Sequence, residues 1–307
     1  DWRRLEAGVT LCTVLLASVT AGSGQPISTP TTNLQHQAVH LGSSAAFAVT
    51  VSGTAPLAYQ WRLDGADLPG QTNSTLSFSA VQPADEGDYT VVVSNLAGVV
   101  TSEPVRLWVV PPPSAFIKGN FTNGTFRFPY YYLMPTNYDP ARSYPLLFLF
   151  HGGYGDEIMF TNGVGGPPGW LGYANYPATK VFASYRRQAT DPAIVVWPTV
   201  RGGEWWSSVW SLEYVRQATN LLDDLIARFN IDTNRVYVGG GSAGFPAAWD
   251  VLGLRRGYFA GGLLLAGSQG ATSASAIKEV PLWLISALDD VSEAAVVRLL
   301  RMFGGNP

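Results

Sequence analysis

The sequence predicts two domains of different class, an all-β sandwich followed by an α/β domain with a doubly wound, mostly parallel sheet. The length of 307 residues suits two domains. Between residues 27 and 110, short runs of alternating apolar and polar residues are separated by glycine-containing turns, as in sandwiches. After the prolines at 111–113, continuously apolar runs typical of strands buried on both faces alternate with an amphipathic helical pattern.

Composition and the first residues bear on where the protein acts. Charged residues make up 13% of the chain and the formal net charge is -3, which argues against a nucleic-acid partner. Residues 1–24 combine Trp2-Arg3-Arg4, an apolar run and small residues, which predicts a secretory signal peptide; a core helix is the alternative. The apolar run is too short to span a membrane. Because Cys12, the only cysteine, lies in this segment, export without disulfides favours a secreted or bacterial cell-envelope protein.

Five strands are predicted in the sandwich, and turn signals such as Asp64-Gly65 and Pro69-Gly70 separate them. They cover residues 45–51, 58–62, 75–78, 89–93 and 105–109.

The motifs Tyr59-Gln-Trp61 and Asp85-Glu-Gly-Asp-Tyr89 make residues 27–110 resemble an immunoglobulin-like domain of the intermediate type. The resemblance implies that Trp61 is the core tryptophan and that Tyr89 forms the tyrosine corner. It also places Val49 and Val91 at the two usual cysteine positions, so apolar packing replaces the bridge. Such a module is either a spacer or a binder of a cell surface or polysaccharide, and the sequence leaves both open.

Residues 111–116 are predicted to form a stiff polyproline-type linker, and residues 117–307 to form the α/β domain. Its predicted strands cover 126–133, 144–150, 193–198, 236–238, 262–265 and 281–285. Apolar residues at helical spacing from Trp210 to Phe229 predict an amphipathic helix with Leu212 on its apolar stripe. The Ala-rich run to Leu254 predicts another helix, which tolerates Pro246 in its first turn.

The segment Gly240-Gly-Ser-Ala-Gly244 lies between a predicted strand and a predicted helix, the context of a nucleophile elbow. Ser242 is the candidate nucleophile, and we expect glycines beside it because strand and helix backbones crowd together there. The N–H of Ala243, with an N–H from Gly152 or Gly153 after another strand, would form the oxyanion hole. Ser268, in Ala266–Gly270, is a rival, but a poor helix follows it.

The candidate acid follows the last predicted strand, where Asp289 and Asp290 are adjacent and cannot both face the site. A helix N-cap is the alternative role for them. Asp223 and Asp224 are expected on a solvated helix face, and Asp232 is expected to fix the turn into the elbow strand.

From Phe126 onward the chain is similar to α/β-hydrolase esterases related to polyhydroxybutyrate depolymerases and to feruloyl and acetyl-xylan esterases. The similarity rests on several motifs: His151-Gly-Gly, Val195-Val-Trp-Pro198, Trp205-Trp206, Asp232-x-x-Arg235, the elbow, Tyr258–Gly261 and Pro281 to Asp290. It implies Ser242 as nucleophile, Asp290 as acid with Asp289 in reserve, and Trp206 beside the acyl pocket. The implied substrate is an acyl ester, polysaccharide-linked or a polyester, and no metal or organic cofactor is implied.

Two departures from this family are visible. Ser286-Ala287 stands where the family carries His-Gly, and the three histidines, His36, His40 and His151, all precede Ser242. We therefore expect the catalytic histidine beyond residue 307, and a fragment with little activity. A prolyl-oligopeptidase-type peptidase and a non-catalytic binding protein on a hydrolase scaffold are the alternative functions.

Overall fold

The computed structural model describes two domains, one entirely β and one α/β. The described residues are 25–28, 31–32, 36–151, 182–199, 211–241, 244–265, 276–277 and 279–285. The predicted signal peptide therefore lies outside them.

The first domain is a sandwich of two sheets. Its strands are β1 Thr31–Thr32, β2 Gln37–His40, β3 Ala45–Thr50, β4 Ala58–Leu63, β5 Ala66–Asp67, β6 Thr75–Phe78, β7 Gly87–Asn95, β8 Gly98–Thr101 and β9 Val105–Val110. One sheet has the order β1-β3-β6, and the other has the order β2-β9-β7-β4-β5 with β8 also paired to β7. All five predicted strands are confirmed. The others were missed because they are short or expose most of their side chains, as β5 and β8 do.

The core of the sandwich is built around the residues that the sequence singled out. Trp61 is fully buried and its indole N–H donates to the Asn73 carbonyl at 2.8 Å. The Tyr89 hydroxyl donates to the Asp85 carbonyl at 2.6 Å, which is the tyrosine corner. Val49 and Val91 are both buried in the same apolar cluster. Apolar packing therefore occupies the interior at both expected cysteine positions.

The segment between the domains differs from the predicted extended linker. Pro113–Ala115 forms a 3-10 turn, in which the Ala115 N–H donates to the Pro112 carbonyl at 2.9 Å. Pro111 is buried, and its carbonyl lies 2.7 Å from Nδ1 of His40. Phe116 meets Trp197 edge-on, with ring centroids 5.3 Å apart. Both neighbouring domains therefore contact the segment, through His40 on one side and Trp197 on the other.

The second domain is organised on a seven-stranded sheet with the order β10-β11-β13-β12-β14-β15-β16. The strands are β10 Ile117–Asn123, β11 Phe126–Leu133, β12 Tyr144–Phe150, β13 Ile194–Pro198, β14 Ile231–Gly241, β15 Gly261–Leu265 and β16 Leu282–Ile285. The helices are α1 Tyr185–Thr190, α2 Leu212–Arg228 and α3 Gly244–Leu254. Pairings β10–β11 and β11–β13 are antiparallel, and the other four are parallel. Strand β10 was not predicted, since Phe121 is its only buried side chain.

Apolar clusters cover both faces of this sheet. Helices α2 and α3 contribute to the larger cluster, to which α2 supplies Val215, Ala218, Leu221, Leu222 and Leu225. Phe182 and Ala183, just before α1, belong to the cluster on the other face. Leu212 is 40% exposed, so its predicted place on the apolar stripe is wrong. It is the first residue of α2, one position after the Ser211 N-cap, and lies outside the core cluster.

The acidic residues of α2 and β14 have local partners. Asp224 pairs with Arg228 at 3.0 Å and Asp223 pairs with Arg255, and both aspartates are about half exposed, as expected of a solvated face. Asp232 accepts hydrogen bonds from the Asn234 N–H and from Arg235. It lies where β14 shifts register against β12, so the expected turn is an irregularity within the strand itself.

Candidate active site

The carboxyl ends of the parallel strands define the edge of the sheet where the candidate site is expected. Strand β14 lies between β12 and β15, and β13 is the other neighbour of β12. Phe150 at the end of β12 is opposite Gly240 of β14, and Gly241 is opposite Leu265 of β15. The strands that precede the predicted site residues therefore end side by side.

The predicted site residues themselves lie outside the described part of the chain. These are Ser242, Ala243, Gly152, Gly153, Trp206, Asp290, its reserve Asp289 and the rival Ser268. For three of them, the structure does describe the residue that is adjacent in the chain. Gly152 follows directly after His151, Ser242 follows the last residue of β14, and Ala243 precedes the first residue of α3.

The junction between β14 and α3 is held in backbone contact by two glycines. A Cβ atom built on Gly240 would overlap the backbone carbonyl of Gly244 and lie 3.0 Å from the Cβ of Ala248. A Cβ on Gly244 would overlap the carbonyl of Phe150 and lie 2.7 Å from that of His151. Real Cβ atoms do not come this close to backbone, so the predicted crowding of the strand and helix backbones is confirmed at Gly240, whereas at Gly244 the obstructing atoms belong to the end of β12.

The same contacts fix the relation between β12 and the start of α3. The carbonyls of Phe150 and His151 lie against Gly244, the first residue of that helix. The His151 side chain is buried, with 3% of its surface exposed. The chain that continues from His151 therefore starts beside the helix N-terminus, where free N–H groups and the positive end of the helix dipole favour negative charge.

The neighbouring strand end is also fixed. Thr199 is fully buried just after β13, and its N–H and hydroxyl both donate to the Pro129 carbonyl, at 3.0 and 2.9 Å. The end of β13 is thereby held against β11, and it leads towards the segment that contains Trp206.

One buried ionisable group of α3 was not predicted from the sequence. Asp250 is 6% exposed in the otherwise apolar helix α3, next to Trp249, whose ring stacks on Phe245 with centroids 6.0 Å apart. An acidic residue inside a run of apolar helix positions was the available signal, since carboxylates are seldom buried without partners.

Two cavities lie at the opposite, amino-terminal edge of the sheet. One, of about 240 Å³, is lined by Tyr144, Ala193 and Arg235 among others. The other, of about 720 Å³, lies between the two domains, with Ala84 on one side and Ala189 on the other. Neither is lined by the residues that end the strands at the carboxyl edge.

Over the described ranges, no cluster of three or more His, Cys, Asp or Glu residues could hold a metal ion. Within the same part of the chain, no helix has the length and apolar character needed to cross a membrane.

Comparison with known proteins identifies the first domain. The sequence model of the immunoglobulin I-set domain matches residues 29–107, so this part of the chain is an immunoglobulin domain of that set. Over 29% of its length the chain is also similar to a chimeric titin Z1Z2 structure, with 26% identity, 99% of that chain covered and a TM-score of 0.26.

Solved structures of esterases are among those similar to the longer part of the chain. A thermostable esterase matches with 18% identity over 81% of this chain and 79% of its own, at a TM-score of 0.48. A mutant feruloyl esterase module from Clostridium thermocellum, complexed with sinapinate, matches with 19% identity over 64% of this chain and 76% of its own, at a TM-score of 0.44.

Proposed function

We propose that the protein is a secreted serine esterase of the α/β-hydrolase type, with a doubly wound sheet and Ser242 as its nucleophile. The observation that carries the proposal is the junction between β14 and α3. Gly240 and Gly244, two residues before and two after Ser242, bring strand and helix backbones into contact. A serine between such glycines would lie in a sharp turn at the carboxyl end of a central strand, which is where an elbow nucleophile belongs.

The order of the sheet supports the second part of the machinery. In the proposed reaction, Ser242 Oγ loses its proton to a histidine and attacks the acyl carbonyl carbon, which forms a tetrahedral oxyanion. The N–H of Ala243 and an N–H of Gly152 or Gly153 would stabilise that charge. The contact of the His151 carbonyl with Gly244 supports this pairing, because Gly152 is the next residue along the chain. Collapse of the intermediate releases the alcohol, and water then hydrolyses the acyl-enzyme.

The remaining roles are assigned from sequence position. Asp290, or Asp289 in its place, would orient the histidine from the loop after β16, and Trp206 would border the acyl pocket. The proposed substrates are acyl esters in which the acyl group is attached to a polysaccharide or forms part of a polyester. Export by the signal peptide at residues 1–24 would place the enzyme outside the cell or in a bacterial cell envelope.

A fluorophosphonate probe tests the nucleophile directly. The probe phosphonylates activated serines, and it is added to the product of the complete reading frame, to Ser242→Ala and to the matched control Ser268→Ala. We expect labelling of the unmodified protein and of Ser268→Ala, and loss of labelling in Ser242→Ala. The reverse pattern would move the nucleophile to Ser268. Absence of labelling in all three would contradict the enzyme and favour a binding protein.

Substrate class is tested separately with two model compounds. A p-nitrophenyl acyl ester and a dipeptide anilide differ in the bond cleaved, and we expect Ser242-dependent hydrolysis of the ester alone. Cleavage of the anilide at a comparable rate would identify a peptidase. Asp290→Asn and Asp289→Asn form a matched pair for the acid, and we expect Asp290→Asn to cause the larger loss of kcat.

A further inference from the structure

The immunoglobulin domain contacts the α/β domain through a buried carboxylate, that of Glu86. Glu86 follows the 3-10 turn Pro83–Asp85 and is only 6% exposed. Its carboxylate accepts hydrogen bonds from the Ser184 hydroxyl, from the Arg186 N–H at 3.1 Å, and from the Val109 N–H. Two of these three donors belong to the other domain. Because a buried carboxylate is costly without its donors, Glu86 is satisfied only while the two domains stay together.

The guanidinium of Arg186 makes a second set of contacts with the immunoglobulin domain. Its guanidinium donates to the Asp64 carboxylate at 2.9 Å and to the Glu86 carbonyl at 3.2 Å. Asp64 also accepts from the Asp88 N–H at 3.0 Å, which holds it in place on its own domain. The α/β domain therefore supplies the donors of this contact, and the immunoglobulin domain supplies the acceptors, including the Asp64 carboxylate in an ion pair with Arg186.

Apolar packing completes the contact. Tyr185, between Ser184 and Arg186, packs against the core cluster of the immunoglobulin domain. Three consecutive residues at the start of α1 thus contact that domain by a hydrogen bond, by ring packing and by an ion pair. The packed linker, with its Phe116–Trp197 contact, adds a further attachment.

This contact lies at the amino-terminal edge of the sheet. The cavity of about 720 Å³ beside it is lined both by Glu86 and by Tyr144, the first residue of β12. A strand rises about 3.3 Å per residue, so the seven residues of β12 place the contact roughly 20 Å from the carboxyl edge.

We propose that Ser184–Arg186 is a docking segment that holds the immunoglobulin domain as a rigid body on the α/β domain, at the edge opposite the proposed active site. The domain is then a fixed part of the fold, which gives the active site one orientation relative to anything that the immunoglobulin domain binds. The docking itself does not depend on the proposed esterase activity, whereas its consequence for the active site rests on that function, and neither test measures activity.

The first test measures the distance between the domains by electron spin resonance. Spin labels are attached to Val99→Cys in the immunoglobulin domain and Leu254→Cys in the α/β domain, both exposed positions, in the full chain carrying Cys12→Ser. A single narrow distance distribution is expected. Glu86→Lys should replace it with a broad one, whereas Glu103→Lys, the same charge change at an exposed site of the same domain, should leave it narrow.

The second variant, Arg186→Gln, removes the guanidinium bonds to Asp64 and to the Glu86 carbonyl from the side of the other domain, and it protects the test against misfolding of the immunoglobulin domain. Calorimetry of each variant reports whether the domains unfold together. We expect one transition in the unmodified protein and in Glu103→Lys, and two separated transitions in Glu86→Lys and Arg186→Gln. A broad distance distribution in the unmodified protein, or a narrow one in both docking variants, would overturn the proposal.

Discussion

The backbone carbonyl of Gly244 occupies the space that a side chain on Gly240 would need. The two residues lie on either side of the candidate nucleophile. Gly240 is the second-to-last residue of β14, and Gly244 is the first residue of α3. The obstructing atoms are backbone, which cannot move aside as the end of a side chain can. The identity of both glycines is therefore set by the geometry of the junction.

Alanine at either glycine should destabilise the protein, because the added methyl group forces strand and helix apart. For Gly240→Ala and Gly244→Ala we expect a loss of about 1–3 kcal/mol or more in the free energy of unfolding. Gly239→Ala is the matched control on the same strand, since its methyl group would meet mainly the Cδ2 of Leu149, at 2.9 Å. Urea denaturation followed by fluorescence measures all three. Equal losses at Gly239 and Gly240 would contradict the backbone argument.

Much of this geometry was predictable because it depends on local chain features. The G-x-S-x-G spacing with a strand before it and a helix after it predicted the crowded junction, and the Asp85–Tyr89 motif predicted the tyrosine corner. In both cases the interacting groups are within five residues of each other, so the sequence pattern specifies the contact.

Other features were missed because they depend on contacts distant in the chain or on exposure. Glu86 and Arg186 are 100 residues apart in the chain. In the sequence, Glu86 looks like an ordinary polar residue of a turn, because its partners on α1 are visible only in the folded protein. Strand β10 has mostly exposed side chains and is held by pairing with β11, so its residues carry no apolar alternation. Leu212 has the right helical spacing but lies at the helix end, beyond the core.

Helix α2 offers a test of which part of its apolar stripe stabilises the fold. Leu222 is fully buried in the core cluster, whereas Leu212 is 40% exposed. We expect Leu222→Ala to lower the free energy of unfolding by about 2–5 kcal/mol through lost burial and a residual cavity. Leu212→Ala should change it by less than about 0.5 kcal/mol. Thermal unfolding followed by circular dichroism compares the two variants. A similar shift of Tm in both would contradict the burial of Leu222 and the exposure of Leu212 described above.

The tyrosine corner can be tested by removing one oxygen atom. In Tyr89→Phe the Asp85 carbonyl loses the 2.6 Å hydrogen bond while the ring keeps its packing against Phe47. We expect a loss of about 1–3 kcal/mol in the free energy of unfolding. Tyr59→Phe on β4 is the control, since Tyr59 is partly buried and its hydroxyl has no hydrogen bond among the described residues. In chemical denaturation, Tyr59→Phe should have nearly the same free energy of unfolding as the unmodified protein. An equal loss in Tyr59→Phe and Tyr89→Phe would show that the hydrogen bond of the tyrosine corner does not stabilise the domain.

Glu86 should make the stability of the protein fall as the pH rises from mildly acidic values. Burial raises the pKa of the Glu86 carboxyl above its usual 4.5, although the hydrogen bonds from Ser184, Arg186 and Val109 act against the increase. The folded protein therefore holds this proton more tightly than the unfolded chain does. The resulting stabilisation is complete below pH 4.5 and is lost as the pH rises through the raised pKa.

Asp64, the other carboxylate of this contact, acts in a different range. Burial works to raise its pKa, but the hydrogen bonds from the Asp88 N–H and the Arg186 guanidinium outweigh burial, so the pKa of Asp64 lies below 3.8. The contribution of Asp64 to the free energy of unfolding is therefore lost only as the pH falls further.

The variant Glu86→Gln tests the pH dependence, because it keeps the shape of the side chain and removes the titration. The difference in unfolding free energy between the unmodified protein and Glu86→Gln, measured across pH, cancels the other groups. We expect the unmodified protein to lose stability relative to Glu86→Gln as the pH rises above 4.5. A difference independent of pH would show that Glu86 is as well solvated in the folded protein as in the unfolded chain.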